Sequence, residues 1–582
     1  MPTVRIPLIG VSNPRTIDGQ ATLVADKDQL LVNCTFSVVN QPDGGAVAYV
    51  EKRPGWGVES IVEAGAQSTG CIRTDSLDAC VSAFGTTNST VYESQISIGA
   101  ITGRALHFSE TLISGIGYVM IKSSDGTGWY YASDARSQLS YVGDTHTNTI
   151  IDGIASTAGM YSGQAISGTG IQAGTRISSV TSSTAIVVDT ATTATAGGVT
   201  ITKTPIAKIL DTDFTASTSY TSKFADIDGY LVYATDDGQL RNGDLNSATS
   251  FSAVGKIAAQ MSPDKPIAVM RHKNIILCFG TDSIETFRNA GNPTGSPLTR
   301  VAESSTKVGS LDQRSIAELE DDIYFVTSSR DGDLMVKKLP GLSTISTPAI
   351  SKSLGTISGD AEIYLSAFVL GGYKYCSAYV ATGLSTTVDN ILLESGDNLL
   401  LETGDMILLE GSSSVTAKFG RHFVANVDLN IWSEWDSNIP TFVYGQGNGP
   451  TNSLIATSRV NTGGKVYTIN PTSDGELHTD DGSAFTMEVT TVRIDHGTNK
   501  RKFVSSIRLI GDTQESGTAT LSYSDNDYGG FVDLGTFDMT STRPEIRPGG
   551  SYEGGRVYRL THSADTPFRA QALEIDYDLR QG

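Results

Sequence analysis

The chain has 582 residues and a formal net charge of −21, with 39% hydrophobic and only 18% charged residues. Its length exceeds one ordinary core, leaving about three to four units or one closed β-propeller ring. The acidity argues against a protein that grips nucleic acid through its phosphates, because that needs a basic face, and Lys500-Arg501-Lys502 is the only run of three basic residues. Glycine (61) and tyrosine (22) are frequent, and Ser and Thr recur throughout. This is the composition of a turn-rich β protein. Five cysteines (Cys34, Cys71, Cys80, Cys278, Cys376) form no C-x-x-C pair, which disfavours a zinc site or disulfide framework and fits assembly in a reducing cytoplasm.

The N-terminus, MPTVRIPLIG, lacks a signal-peptide layout, since Pro7 interrupts a very short apolar run. No segment approaches the ~20 apolar residues of a membrane helix, so no membrane anchor is expected. Residues 1–143 are read as an N-terminal segment followed by the first propeller blades, with hairpin-like units at Cys71–Tyr92 and Gly117–Ala132. Residues 144–203 interrupt the series. They are rich in Thr, Ser, Ala and Gly and contain GTGIQAGT. This run is similar to small β modules found in many phage tail and fibre proteins, which implies a surface insert or a contact to a neighbouring subunit.

From 204 to 478 the hairpin units resume. Gly229–Leu245 reads as strand, Asp-Gly turn, strand; His272–Asn289 and Asp322–Leu339 repeat the scheme, and Ala361–Ala381, Arg421–Trp435 and Ser453–Asn470 continue it. Unit starts about 40 to 50 residues apart suit four-stranded propeller blades; a tandem of sandwiches is the competing arrangement. Cys278 and Cys376 fall in apolar strands, as small core residues do.

Within this series lies Gly280–Arg300, GTDSIETFRNAGNPTGSPLTR. Asn292-Pro293 and Ser296-Pro297 fix backbone angles, and Gly291 and Gly295 permit positive φ. Phe287 and Arg288 therefore sit on a strand leading into a stiff loop. The segment resembles the tail nozzle proteins of short-tailed bacteriophages, also called packaged-DNA stabilisation or tail accessory proteins. That resemblance implies a six-subunit ring below the portal and its adaptor ring, with tail needle, fibre or tailspike proteins as neighbours. It also implies retention of the packaged genome and transient, non-specific passage of double-stranded DNA. Candidate channel or subunit-interface residues are Arg288, Asn289, Asn292, Pro293 and Arg300.

An internal repeat of period eight follows at 391–411. Stacked four-residue strands would align Leu393, Leu401 and Leu409 and set Glu394, Glu402 and Glu410 in register, with Asp397 and Asp405 at the turns. Like charges directly opposite are unfavourable. The ribbon is therefore expected to protrude into solvent or to face a channel or neighbour; neutralisation by a cation such as calcium is the alternative, although the spacing is not an EF-hand. From 479 to 582 clean alternating strands (FTMEVTTVRI and Phe503–Ile510) read as a C-terminal β-sandwich. Its Ser524-Asp525-Asn526-Asp527 turn with Gly529-Gly530 is similar to the end of phage nozzle proteins, although Phe531 stands where a tryptophan is expected.

Enzyme signatures are absent: no Walker A loop, no H-E-x-x-H, no G-x-S-x-G. The seven histidines show no metal-ligand spacing. Asp226-Ile227-Asp228-Gly229 and Asp331-Gly332-Asp333 resemble cation loops, but hairpin turns demand the same residues. No catalytic residue, cofactor or metal is expected. Two alternatives stand beside the nozzle reading. One is a glycan- or receptor-binding tail protein using Trp129, Trp432 and Trp435. The other is a propeller glycosidase, prompted by the Asp-box-like Ser123–Trp129 turn but lacking any selected carboxylate pair. The expected fold is all-β: a propeller body with inserted small β modules and a terminal sandwich, located in the virion tail.

Overall fold

A computed structural model describes residues 3–9, 30–40, 46–62, 67–215, 221–328, 334–355, 362–381, 421–437, 439, 442–444, 454–458, 464–469, 478–496, 498–526, 528 and 530–580. Among these residues the chain is nearly all strand; the α-helices are the short Thr212–Thr215 and Pro348–Gly355. Hairpin turns fall where the sequence places residues tolerant of positive φ. Asp228 (φ 49°) and Gly229 (φ 83°) close one, and Asp78 (φ 47°) turns another.

Five sheets are separate four-stranded antiparallel blades. They span Ser68–Ile101, Ala225–Ala258, Pro266–Arg300 and Ile316–Thr344, while the last joins Phe442–Tyr444, Ile455–Ser458 and Lys465–Ile469 to Trp56–Ile61. Two more four-stranded units lie inside larger sheets. One is Ala105–Ala132 completed by the end of Ala196–Lys208, and the other runs from Glu362 to Glu434. The first strand of each unit packs on the first strand or preceding turn of the next, all the way round.

The cores between the units close the same circle. Phe108, Val119 and Tyr131 of the second unit share one cluster with Ile72 and Val91 of the first and Tyr233 of the third. Val232 then meets Val269, Phe279 meets Phe325, and Tyr324 meets Leu365. Tyr375 meets Trp56 and Tyr467, and Val466 returns to Cys71 and Phe84. The body is thus a propeller ring of seven units, five free-standing and two fused into larger sheets. Its last unit is closed by an N-terminal strand, so Trp56, fully buried, seals the ring.

The 13-residue strand Ala196–Lys208 serves two structures. Its Ala207 and Lys208 pair with Tyr130 and Trp129 of the second unit, while its first half pairs with Ser140–Thr145 of a small β module. That module has its own core of Tyr141, Ile151, Ile186 and Ile201. The terminal sandwich stacks two sheets over Leu509, Leu521, Phe537, Tyr558 and Leu573. Strands Thr3–Pro7, Cys34–Asn40 and Ala46–Lys52 complete one of these sheets; N-terminal residues therefore belong to the same core as C-terminal ones. Leu30–Val32 joins the other sheet to the sixth propeller unit through a parallel pairing at Val32 and Glu434.

Candidate subunit-contact loop

The loop singled out by sequence connects the third and fourth strands of its blade, Ile284–Asn289 and Leu298–Arg300. It therefore lies at the blade's outer edge and away from the propeller axis. Its shape is held by bonds between side chains and backbone and by one backbone pair. Asn292 Nδ2 donates to Ser296 O (3.1 Å) and Leu298 O (3.3 Å), Ala290 N donates to Pro297 O (2.8 Å), and Gly291 N donates to Asn289 Oδ1 (2.9 Å). Asn289 Nδ2 also reaches Asp228 Oδ2 of the preceding blade at 2.9 Å. Arg288, Asn292 and Pro293 are exposed. Gly291 (φ 65°) and Gly295 (φ 75°) occupy the left-handed region that the sequence reserves for them.

Arg300 differs from the other four residues. Its guanidinium pairs with Glu285, itself 3% exposed, at 2.7 Å and donates to Ala258 O at 2.6 Å. Glu285 in turn accepts from Met261 N at 2.7 Å. Arg300 is thus the base of the loop, tying it to the preceding blade. Only Arg288, Asn292 and Pro293 present a surface to a partner. The acidic ribbon (Glu394, Asp397, Glu402, Asp405, Glu410) lies outside the described residues, as does Asp331-Gly332-Asp333.

Several sequence features resolve into structure. In the Ser123–Trp129 turn, Asp125 Oδ1 accepts from Thr127 N (3.0 Å) and Thr127 Oγ1 (2.6 Å), and Asp125 Oδ2 from Thr102 Oγ1 (2.7 Å). Burial pushes the Asp125 carboxyl up, but these bonds and that from Ser123 outweigh it and hold it below the usual range. Asp226 is raised by burial against the opposing Arg271, 2.7 Å away. The Asp226–Gly229 segment is a hairpin turn. Lys502 is buried and donates to Thr498 O and Gly554 O, while Lys500 and Arg501 are exposed, so one of the three cations of the basic run is taken up by the fold. All five cysteines are buried and unpaired. Among the described residues no cluster of His, Cys, Asp or Glu has the geometry to hold a metal.

The tryptophans bear on the glycan-binding alternative. Trp129 and Trp435 are 1% and 2% exposed, leaving no ring face for a sugar. Trp432 is half-buried with its Nε1 donating to Ile345 O at 2.9 Å. Two tryptophans three apart on a strand face opposite sides, so one in the core and one partly exposed is the ordinary arrangement, and aromatic content alone does not separate a binding face from an inter-blade core.

A site that sequence reasoning missed joins the propeller to the sandwich. Arg53 and Asp480, both 0% exposed, form a bidentate pair at 2.9 and 2.6 Å. The remaining Arg53 donors reach Asn33 Oδ1 (2.8 Å), Pro54 O (3.0 Å) and Asp436 O (2.8 Å). The guanidinium lies over the Phe485 ring at 3.8 Å. Asp480 Oδ1 also accepts from Trp56 N at 3.1 Å. Every N–H of the guanidinium is therefore used, at the point where the ring-closing strand leaves the sandwich. Gly55 beside it is required by packing, since a Cβ there would lie 1.9 Å from Thr479 O.

A family model described as Bacteriophage P22 Gp10, beta-propeller, matches residues 159–370. The match covers less than half of the chain, from the small module through the third, fourth and fifth units into the sixth. It supports a phage tail structural protein and a place in the virion tail. No curated protein matches. Among solved structures, BBS1N in complex with ARL6DN aligns over 72% of this chain and 97% of that one, at 10% identity and a TM-score of 0.32. A chain of the mitotic checkpoint complex aligns over 71% and 95%, at 7% identity and 0.32. An exo-beta-1,3-galactanase from Phanerochaete chrysosporium aligns over 61% and 95%, at 10% identity and 0.23.

Proposed function

We propose that this chain is the nozzle protein of a short-tailed phage: six copies form a ring below the portal and its adaptor ring, hold the packaged genome in, and then pass it out. The observation that carries the reading is the family-model match over residues 159–370. An all-β body and a charge of −21 accord with a mechanical role in which DNA slides past an acidic surface. A closed ring of identical subunits uses a heterologous interface. The outer-edge loop with Arg288, Asn292 and Pro293, the small module and the acidic ribbon are the elements offered for that interface or for narrowing the channel. Tail needle, fibre or tailspike proteins would dock on the assembled ring.

Electron microscopy of the purified chain, alone and mixed with tail-deficient, portal-bearing heads, tests this reading. The expected result is six-fold rings with a central hole that cap the portal vertex and stop DNA leakage. Monomers or trimers that ignore the portal vertex would overturn it.

A further inference from the structure

The fourth and fifth propeller units meet over a shared apolar core, in which Phe279 and Ile284 of one pack with Phe325 of the other. In the fifth unit Phe325 stands opposite Lys337 across the ladder, and Thr327 opposite Met335. Side chains two apart on a strand, and their cross-strand partners, share one face of a sheet. Thr327, Met335 and Lys337 therefore lie on the face that carries Phe325 and looks toward the fourth unit. Beside the core the two units enclose a cleft of about 640 Å3. It lies at the end of the ring where the second strand of each of these units turns toward the third.

The walls of the cleft are held in shape by the fold. Asp264, in the link from the third unit, accepts from Asp282 N (2.9 Å) and from Ser283 Oγ (3.0 Å), which fixes the turn on the fourth unit's side. The link to the fifth unit is zipped to that turn. Ile284 N donates to Thr306 O and Thr306 N to Ile284 O, both at 3.0 Å, and Ser310 N donates to Gly280 O at 3.0 Å. Gly309 is pressed so close that a Cβ there would lie 2.2 Å from the Thr281 carbonyl carbon. The groups these contacts leave unused are polar. Lys307 and Lys337 line the cleft, and neither ammonium enters an ion pair or hydrogen bond among the described residues. Thr327, 3% exposed, has its hydroxyl 3.5 Å from Ser328 O, the outer limit of a hydrogen bond. A buried hydroxyl matched so poorly has capacity left for a ligand. The Asp282 carboxylate, exposed at the rim, accepts from the neighbouring Thr281 hydroxyl at 3.3 Å and has oxygen lone pairs to spare.

This lining selects its ligand. A simple anion would match the two ammoniums but meet the Asp264 and Asp282 carboxylates. A neutral polyol would match the carboxylate and hydroxyls but leave both ammoniums unpaired. One carboxylate on a ring of neighbouring hydroxyls satisfies both, and such a ring fits the volume. We propose that the cleft binds an acidic sugar of the hexuronic acid class. Lys307 and Lys337 hold its carboxylate, while its hydroxyls donate to Asp282 and bond with Thr327. The proposal does not rest on the nozzle reading. Its test is saturation-transfer NMR on the full chain with D-glucuronate, D-glucose and acetate as probes. The expected result is saturable transfer to the glucuronate ring protons, with glucose and acetate each bound roughly tenfold more weakly or worse. Lys337→Met, which keeps the stem and removes the charge, should weaken glucuronate binding by roughly tenfold. Lys256→Met, on the exposed outer strand of the third unit, should leave it unchanged. Absence of saturable transfer to glucuronate with the natural chain overturns the proposal whether or not the variant folds. So does acetate or glucose binding as tightly as glucuronate, or undiminished glucuronate binding by a folded Lys337→Met protein.

Discussion

Two cations lie inside this acidic chain, and they are treated in opposite ways. Arg53, at the propeller–sandwich junction, is fully buried and has every donor matched, two of them by one carboxylate. Lys223, between the second and third propeller units, is partly buried, and the carboxylate coupled to it, Glu318, is also engaged by His272. Desolvation weighs on both. At Arg53 a planar five-donor fork is met in full by a carboxylate, an amide and two carbonyls, the arrangement that makes a buried ion pair tolerable. At Lys223 burial lowers the ammonium pKa, and Glu318 only partly opposes it. A buried charge with every donor matched holds chain segments together; a partly buried one with a shared counter-charge contributes much less.

The sharpest way to break the comparison is to remove one partner at each place. Asp480→Ala leaves Arg53 charged and enclosed, and should cost about 3–5 kcal/mol in urea unfolding. The double replacement Arg53→Met with Asp480→Leu should recover much of that loss, because the desolvation of both ions disappears with them. If the double variant is no more stable than the single, the junction depends on the specific bonds to Asn33, Pro54 and Asp436 more than on charge matching. Gly55→Ala next to it forces backbone apart at Thr479 and should cost about 1–3 kcal/mol. By contrast, Lys223→Met removes an ammonium that burial disfavours and Glu318 only partly supports, and should leave stability within about 1 kcal/mol of the natural chain, or raise it.

Acid sharpens the junction further. His478 is 4% exposed, and burial pushes its imidazole down to about 4, against a hydrogen bond to the Arg53 backbone. Its folded value is below the unfolded value of about 6.5, so the unfolded chain binds the proton first. Its contribution is whole above about pH 6.5, falls as the pH drops toward 4, and changes no further below that. Between pH 6.5 and 5 the loss should be about 2 kcal/mol from this group. His478→Gln should flatten that segment of the stability–pH curve; an unchanged slope would assign it to the other buried imidazoles, His422 and His107, which burial also lowers.

What sequence made legible follows from range. The Asp228-Gly229 hairpin, the period of the blades and the alternation of the terminal sandwich are written in contiguous residues, so turn chemistry and two-residue periodicity exposed them. The loop at Asn292 was equally local: its proline and glycine positions are those its backbone uses. Ring closure by Trp56 and the Arg53–Asp480 pair were hidden, because the latter joins residues 427 apart and neither end carries a motif. The glycan-binding alternative used Trp129 and Trp435 because a propeller buries its aromatics between blades, where they look in sequence like any exposed ring.

The loop provides the finest discrimination. Arg300→Ala removes the partner of the nearly buried Glu285 and should cost about 2 kcal/mol. Asn292→Ala frees a turn held by two carbonyls and should cost about 1 kcal/mol. Arg288→Ala changes an exposed side chain and should alter stability by no more than about 0.5 kcal/mol. These three residues lie within one hairpin, so their effects on ring formation separate folding from contact. If the outer edge is the subunit interface, Arg288→Ala reduces the fraction of rings in micrographs while its urea midpoint stays in place. Rings that form normally with Arg288→Ala, and fail only with Arg300→Ala, would mean that the loop matters through its own blade and that the interface lies elsewhere.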